Sequence, residues 1–202
     1  MKRALIVYAT REGQTRKIAD HIAATMRDRG REVDVIDAGA PPADLDVARF
    51  HLVVLAASVH QGKHEREMVA FVKDRLGALE RIPTAFVSVS LSEATVEDAT
   101  RPVSTRLEAT RDTKGMIERF LEETGLRPAW IMPVAGALPY SAYGWLTRLV
   151  MRQIAKKAGG PTDTSHDYEM TDWMSLDRFT DELVRSLATP TVPIEGRTGA
   201  RP

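Results

Sequence analysis

Five short apolar runs, interleaved with stretches of helical periodicity, constrain this chain more than any other feature. The runs cover residues 4–9, 33–36, 52–57, 85–89 and 130–135. Those at 4–9 and 52–57 are free of charge throughout, as strands covered on both faces must be. Between them apolar side chains recur three and four residues apart. Ile18, Ala19, Ile22, Ala23 and Met26 form one such set, and Met68, Phe71, Val72, Leu76 and Leu79 a second. Met116, Ile117, Phe120 and Leu121 form a third, and Trp173, Leu176, Phe179, Leu183, Val184 and Leu187 a last. Gly30 and Gly125 stop the first and third of these helices. Strands alternating with helices imply right-handed crossovers and a parallel sheet. The expected fold class is α/β, a doubly wound five-stranded parallel sheet in the order 2-1-3-4-5. Its ligand crevice lies outside the carboxyl ends of strands 1 and 3.

At 202 residues the chain fits one domain. The expected domain is residues 1–188, with a helical insertion after strand 5 at about 138–162. The tail, 189–202, is rich in Pro, Gly and Thr, which predicts disorder. The 28 basic and 28 acidic side chains cancel, so global charge offers nothing to nucleic acid. Cysteine is absent, which excludes disulfides, thiolate metal sites and thiol catalysis, and no metal is expected. No apolar stretch reaches the roughly 18 residues of a spanning helix. Thr10, Arg11 and Glu12 interrupt the N-terminal run before it could serve as a secretory signal. The cytoplasm is the expected location.

Chemistry gathers in the turn after the first strand, at Thr10, Arg11, Glu12, Gly13, Gln14 and Thr15. A phosphate placed there would meet unpaired backbone N–H groups and the positive end of a helix dipole. Thr10 and Thr15 add hydroxyl donors, and Gly13 lets the backbone come close. An ordinary helix-capping turn without a ligand fits the same spacing. The loop lacks both the nucleoside-triphosphate pattern and the dinucleotide fingerprint. A response regulator would want acidic residues at the ends of strands 1 and 3, where this chain has Thr10 and Ser58.

The ordered set of motifs resembles the flavodoxin-like, quinone-dependent protoporphyrinogen IX dehydrogenases. The loop from Thr10 to Thr15 is similar to their phosphate loop for flavin mononucleotide (FMN). Ala57, Ser58 and Val59 with Gly62 and His64 match further on, as do residues 86–91 and Ala135, Gly136, Ala137 and Leu138. Gly159 and Gly160 lead to Thr162, Asp163 and Thr164, and then to Thr171, Asp172 and Trp173. The likeness covers roughly residues 1–188. It implies a flavodoxin-like fold, FMN as cofactor, and oxidation of protoporphyrinogen IX to protoporphyrin IX in haem biosynthesis. Electrons would pass to a membrane quinone, with the protein peripheral on the inner face of the cell membrane.

The resemblance also implies which residues meet the flavin. Residues 10–15 would take the phosphate. Ser58, Val59, His60 and Gly62 would stand on one side of the isoalloxazine, and Ser90, Leu91 and Ser92 on the other. Gly136 and Ala137 would follow strand 5. Neither ring loop holds Phe, Tyr or Trp, so the flavin face is expected to be open to a large substrate. No side chains form a convincing acid–base pair, and the catalytic residues stay unassigned. Two other functions are compatible with the fold. One is a flavodoxin electron carrier, which usually presents an acidic docking face that this neutral chain lacks. The other is an FMN-dependent quinone reductase, although no nicotinamide motif is recognisable.

The insertion is a feature a minimal flavodoxin does not have. Arg148, Arg152 and Lys156 are four apart and share one helix face, and residues 128–162 contain no Asp or Glu. A core helix with a solvated basic face is one reading. The other is a substrate-facing or membrane-facing helix in which Tyr143, Trp145, Arg148, Arg152 and Lys156 meet porphyrin propionates or anionic head groups. The charged segment 93–114 is longer than the family pattern needs and has no assigned role.

Overall fold

The structure is a computed structural model that describes residues 2–138 and 163–188. In chain order the elements begin with β1 (Arg3–Ala9), α1 (Gln14–Asp28), β2 (Glu32–Asp37), β3 (Leu52–His60), β4 (Lys63–His64) and α2 (Arg66–Leu79). They continue with β5 (Thr84–Ser90), α3 (Leu91–Glu97), α4 (Val103–Thr124), β6 (Trp130–Ala135) and β7 (Ala137–Leu138). After residues 139–162 come β8 (Tyr168–Glu169) and α5 (Trp173–Ala188). Strands β2-β1-β3-β5-β6 pair in that order and are all parallel, which is the expected 2-1-3-4-5 arrangement.

Alternation along β1 explains why its sequence is apolar throughout. Ala4, Ile6 and Tyr8 face α1 and α5, where they pack with Ile18, Ile22, Leu176 and Leu183. Leu5, Val7 and Ala9 face the opposite layer and pack with Met68, Phe71 and Val72 of α2 and Phe120 of α4. Phe120 stacks on Phe86 of β5 with ring centroids 4.4 Å apart, and this pins α4 to the sheet. Truncating a fully buried Leu such as Leu5 to Ala costs about 2–5 kcal/mol.

The structure departs from the sequence expectation in three places. Residues 58–64, expected as a polar loop, continue β3 and then turn back as β4, with Val59 opposite His64 and His60 opposite Lys63. The two turn residues, Gln61 and Gly62, both have positive φ, 51° and 76°, the geometry that matches the twist of a tight hairpin. The unassigned charged segment is helical: α3 and most of α4 occupy it. Finally, β7 and β8 form a small antiparallel ribbon that no period-2 pattern foretold. The expected insertion and tail lie outside the described residues. No helix among those described is long and apolar enough to cross a membrane.

Candidate functional site

Loops at the carboxyl ends of β1, β3 and β5 converge, and each is held by identifiable bonds. In the first, Gly13 sits at φ 88° immediately before α1, and its N–H donates to the Thr10 hydroxyl at 3.0 Å. A side chain at that φ would be strained, so glycine allows the tight entry into the helix. No side chain caps α1, and its first turn holds no acidic residue. The positive end of the helix therefore keeps its unpaired N–H groups. Thr15, fully buried in that turn, has a hydroxyl without a hydrogen-bond partner.

Two further side chains of this loop tie it to its surroundings. Arg11 donates through Nε to both oxygens of Glu65, at 2.9 and 3.2 Å. Glu65 is buried and also accepts from the Ser58 hydroxyl at 3.2 Å, so one carboxylate joins the first loop to the end of β3. Gln14 donates to the Thr171 hydroxyl at 2.9 Å, and Thr171 in turn donates to the Ala135 carbonyl at 2.8 Å. The first loop is thereby fixed on both flanks.

The second and third loops frame a cavity of about 610 Å³. Val59, Gln61 and Gly62 of the hairpin line one side, and Ser90, Leu91 and Ser92 line another. Ser90 ends β5 and caps α3 by accepting from the Glu93 N–H, so Leu91 and Ser92 form a helical turn and not a loop. The remaining wall comes from α4, through Arg111, Asp112, Gly115, Met116 and Arg119. Sequence reading missed this wall because the segment carried no motif. The available signal was spacing: 111, 115 and 119 are four apart and share a helix face. Arg119 also donates to the Gly62 carbonyl at 3.0 Å, which braces the hairpin turn.

The two loop histidines behave differently. His60 is half-buried at the end of β3. His64 is no exposed loop residue: it is buried against Phe86 and Phe120, with Nε2 2.8 Å from the Ser88 hydroxyl and Nδ1 without a partner. Burial, helped by the Arg119 charge, pushes its pKa down to about 4, so it is neutral at ordinary pH. On α3, Glu97 is pushed up to about 7, first by partial desolvation from its neighbours and then by the charges of Glu93 and Asp172. Beyond β6, the Gly136 N–H donates to the Ser90 carbonyl at 3.0 Å, and the Gly136 carbonyl accepts from Met170 at 3.2 Å. Ala137 belongs to β7. Tyr143, Trp145, Arg148, Arg152 and Lys156 lie outside the described residues. No group of side chains that could hold a metal ion occurs among the described residues.

An uncapped helix entry at the switch point of a doubly wound sheet, beside a cavity between the next two loops, defines a flavodoxin-like domain. The flavodoxin domain family matches residues 5–165. The chain is 30% identical over 190 residues to protoporphyrinogen IX dehydrogenase (quinone) of Escherichia coli strain K12, covering 94% of this chain and 99% of that protein. A protein of the same name from Leishmania major is 30% identical over 195 residues, covering 95% and 79%. Among solved structures, a flavodoxin from the Archaea superposes with a TM-score of 0.51 at 14% identity, covering 93% of this chain and 99% of that one, a likeness of fold. The chain belongs to the flavodoxin domain family and, within it, to the family of the protoporphyrinogen IX dehydrogenases (quinone).

FMN is the cofactor that goes with this domain, and the first loop fits it. A phosphate would give the buried Thr15 hydroxyl the acceptor it lacks and the bare end of α1 the anion its dipole favours.

Proposed function

We propose that this chain is an FMN-dependent dehydrogenase that converts protoporphyrinogen IX to protoporphyrin IX and passes the electrons to a membrane quinone, a step of haem biosynthesis. The supporting observation is similarity to relatives of that name along 94% of the chain, and the flavodoxin domain match over residues 5–165 includes the three loops of the site. Residues 10–15 would hold the phosphate, through Thr15, the N–H groups of the first turn of α1 and the close backbone at Gly13. Val59 and Gly62, with Ser58 and His60 beside them, would flank the ring on one side, and Ser90, Leu91 and Ser92 on the other. Gly136 and Ala137 would approach from the end of β6. When bound, FMN supplies acceptance of hydrogen from the porphyrinogen and delivery of electrons to the quinone. The protein's part is binding and orientation: Glu65 fixes the first loop against the second, and Arg119 fixes the hairpin turn.

Peripheral attachment to an anionic membrane completes the proposal, through Tyr143, Trp145, Arg148, Arg152 and Lys156. A quinone dissolved in lipid requires the flavin to come near the bilayer, and a basic, aromatic segment suits that surface. The test is anaerobic turnover of the FMN-loaded protein on vesicles with and without a quinone. Porphyrin fluorescence should grow to many equivalents per protein only when quinone is present. Continued turnover without any acceptor, or none with it, would contradict the proposal.

A further inference from the structure

We infer that Arg111 and Arg119 of α4 receive the carboxylates of the substrate, an assignment that rests on the proposed function and names what selects the substrate at that site. The cavity has two walls that the family motifs account for and a third, from α4, that they do not. That third wall has a specific composition. Met116 offers a polarizable apolar surface. Gly115 stands between the two arginines, and a Cβ built there would meet nothing within 4 Å. A glycine inside a helix costs about 0.5–1 kcal/mol relative to alanine, and here it leaves a gap through which a flat molecule can reach the helix backbone. Residues 111 and 119 are eight apart on one helix face, so their Cα atoms stand about 12 Å apart along the axis, on either side of the gap.

The charges are available for a ligand. Arg119 spends one N–H on the Gly62 carbonyl and has further donors in its fork. Arg111 is exposed and forms no ion pair of 4 Å or less among the described residues. Lys114, one step round the helix, is occupied with Glu118. An apolar floor, an open gap and two cations together describe the complement of a large apolar macrocycle bearing carboxylates. Guanidinium forks bind carboxylates in bidentate fashion, and such bonds are about twice as strong as neutral ones. Asp112, on the same wall, would repel a ligand whose carboxylates were misplaced.

The experiment compares the diacid with its dimethyl ester, which keeps the ring and loses the charge. FMN-loaded parent protein, Arg111→Gln and Arg119→Gln are assayed for kcat/KM on protoporphyrinogen IX and on its dimethyl ester. Binding of the two product porphyrins is followed by fluorescence, and FMN affinity is titrated separately. Arg111→Gln is exposed and should fold like the parent. The expected result is a parent that prefers the acid and, in Arg111→Gln, a fall of about ten-fold with the acid but not with the ester; Arg119→Gln, which also frees the hairpin turn, should lose more with the acid than with the ester. FMN affinity should stay within about two-fold in Arg111→Gln. A parent that takes acid and ester equally well would overturn this assignment alone. So would an Arg111→Gln variant that loses both substrates alike, or that loses FMN. A parent that oxidises neither porphyrinogen would instead sink the proposed function beneath it.

Discussion

Arg11 reaches across the site to Glu65, giving it two hydrogen bonds at 2.9 and 3.2 Å, and the carboxylate it grips is only 3% exposed. Breaking a buried pair by removing one partner is worse than replacing both, because a lone buried charge is left behind. Arg11→Met should therefore lower the urea midpoint more than Arg11→Met combined with Glu65→Gln. FMN retention should follow the same order, since Ser58 shares the carboxylate. Equal midpoints for the two would show that the pair does not brace the loops.

Thr15 should matter for the ligand and not for the fold. Its buried hydroxyl has no partner, so Thr15→Val should leave the protein without FMN as stable as the parent, or slightly more so. FMN affinity should fall by about 1.5–3 kcal/mol, the worth of a hydrogen bond to a charged group. Gly13→Val should harm both properties, because φ 88° costs a β-branched residue about 1–3 kcal/mol. Isothermal titration with FMN, beside denaturant unfolding of the protein without FMN, separates these effects. An unchanged FMN affinity in both variants would mean that the phosphate sits elsewhere.

How much the sequence revealed depended on burial. Strands β1 and β3 were legible because Leu5, Ile6, Val53 and Val54 are covered on both faces, which leaves no polar gap to blur the pattern. Helices α1 and α5 were legible because one strongly apolar face packs on the sheet. The first half of α4 was not, since Val103 and Leu107 face solvent and its apolar positions are sparse there. With that half went Arg111, and without it the face that Arg111 shares with Gly115 and Arg119, the third wall of the cavity, could not be seen. Glu65 was missed for a different reason: its partners, Ser58 and Arg11, are 7 and 54 residues away, and no local spacing announces them. His64 looked like a loop residue because a two-residue hairpin is too short for a period-2 signal to show.

Stability should depend on pH through two groups of opposite sign. The His64 pKa is pushed down to about 4, below its ordinary 6.5. Between those values the unfolded chain binds the proton and the folded one does not, so stability rises with pH, by at most roughly 3 kcal/mol. The Glu97 pKa is pushed up to about 7 from 4.5. In that window the folded chain holds the proton, and stability falls as pH rises. Glu97 is exposed, so solvent screens its contribution and His64 should dominate. Unfolding free energy should climb from about pH 4.5 to 6.5, more steeply in Glu97→Gln and less in His64→Gln. A His64→Gln slope equal to the parent's would contradict the buried, neutral histidine.

The basic residues of segment 139–162 should bring the protein to anionic lipid. Each basic residue near such a surface contributes about 1 kcal/mol, so changing Arg148, Arg152 and Lys156 together to Glu should weaken vesicle binding by several powers of ten. FMN affinity should not change, because the phosphate loop is a separate part of the chain. Co-sedimentation with vesicles rich in anionic lipid checks this. Undiminished sedimentation would leave these three residues without a part in lipid binding.

Anaerobic addition of protoporphyrinogen IX to the FMN-loaded protein, with no other acceptor present, tests the central claim most directly. Each FMN can take two of the six electrons that oxidation to the porphyrin releases, so the flavin absorbance should bleach with at most about one porphyrin formed for every three flavins, and added quinone should restore the flavin colour and let porphyrin fluorescence grow. A flavin that stays oxidised while the porphyrinogen remains unchanged would contradict the assignment of this chain as a protoporphyrinogen dehydrogenase.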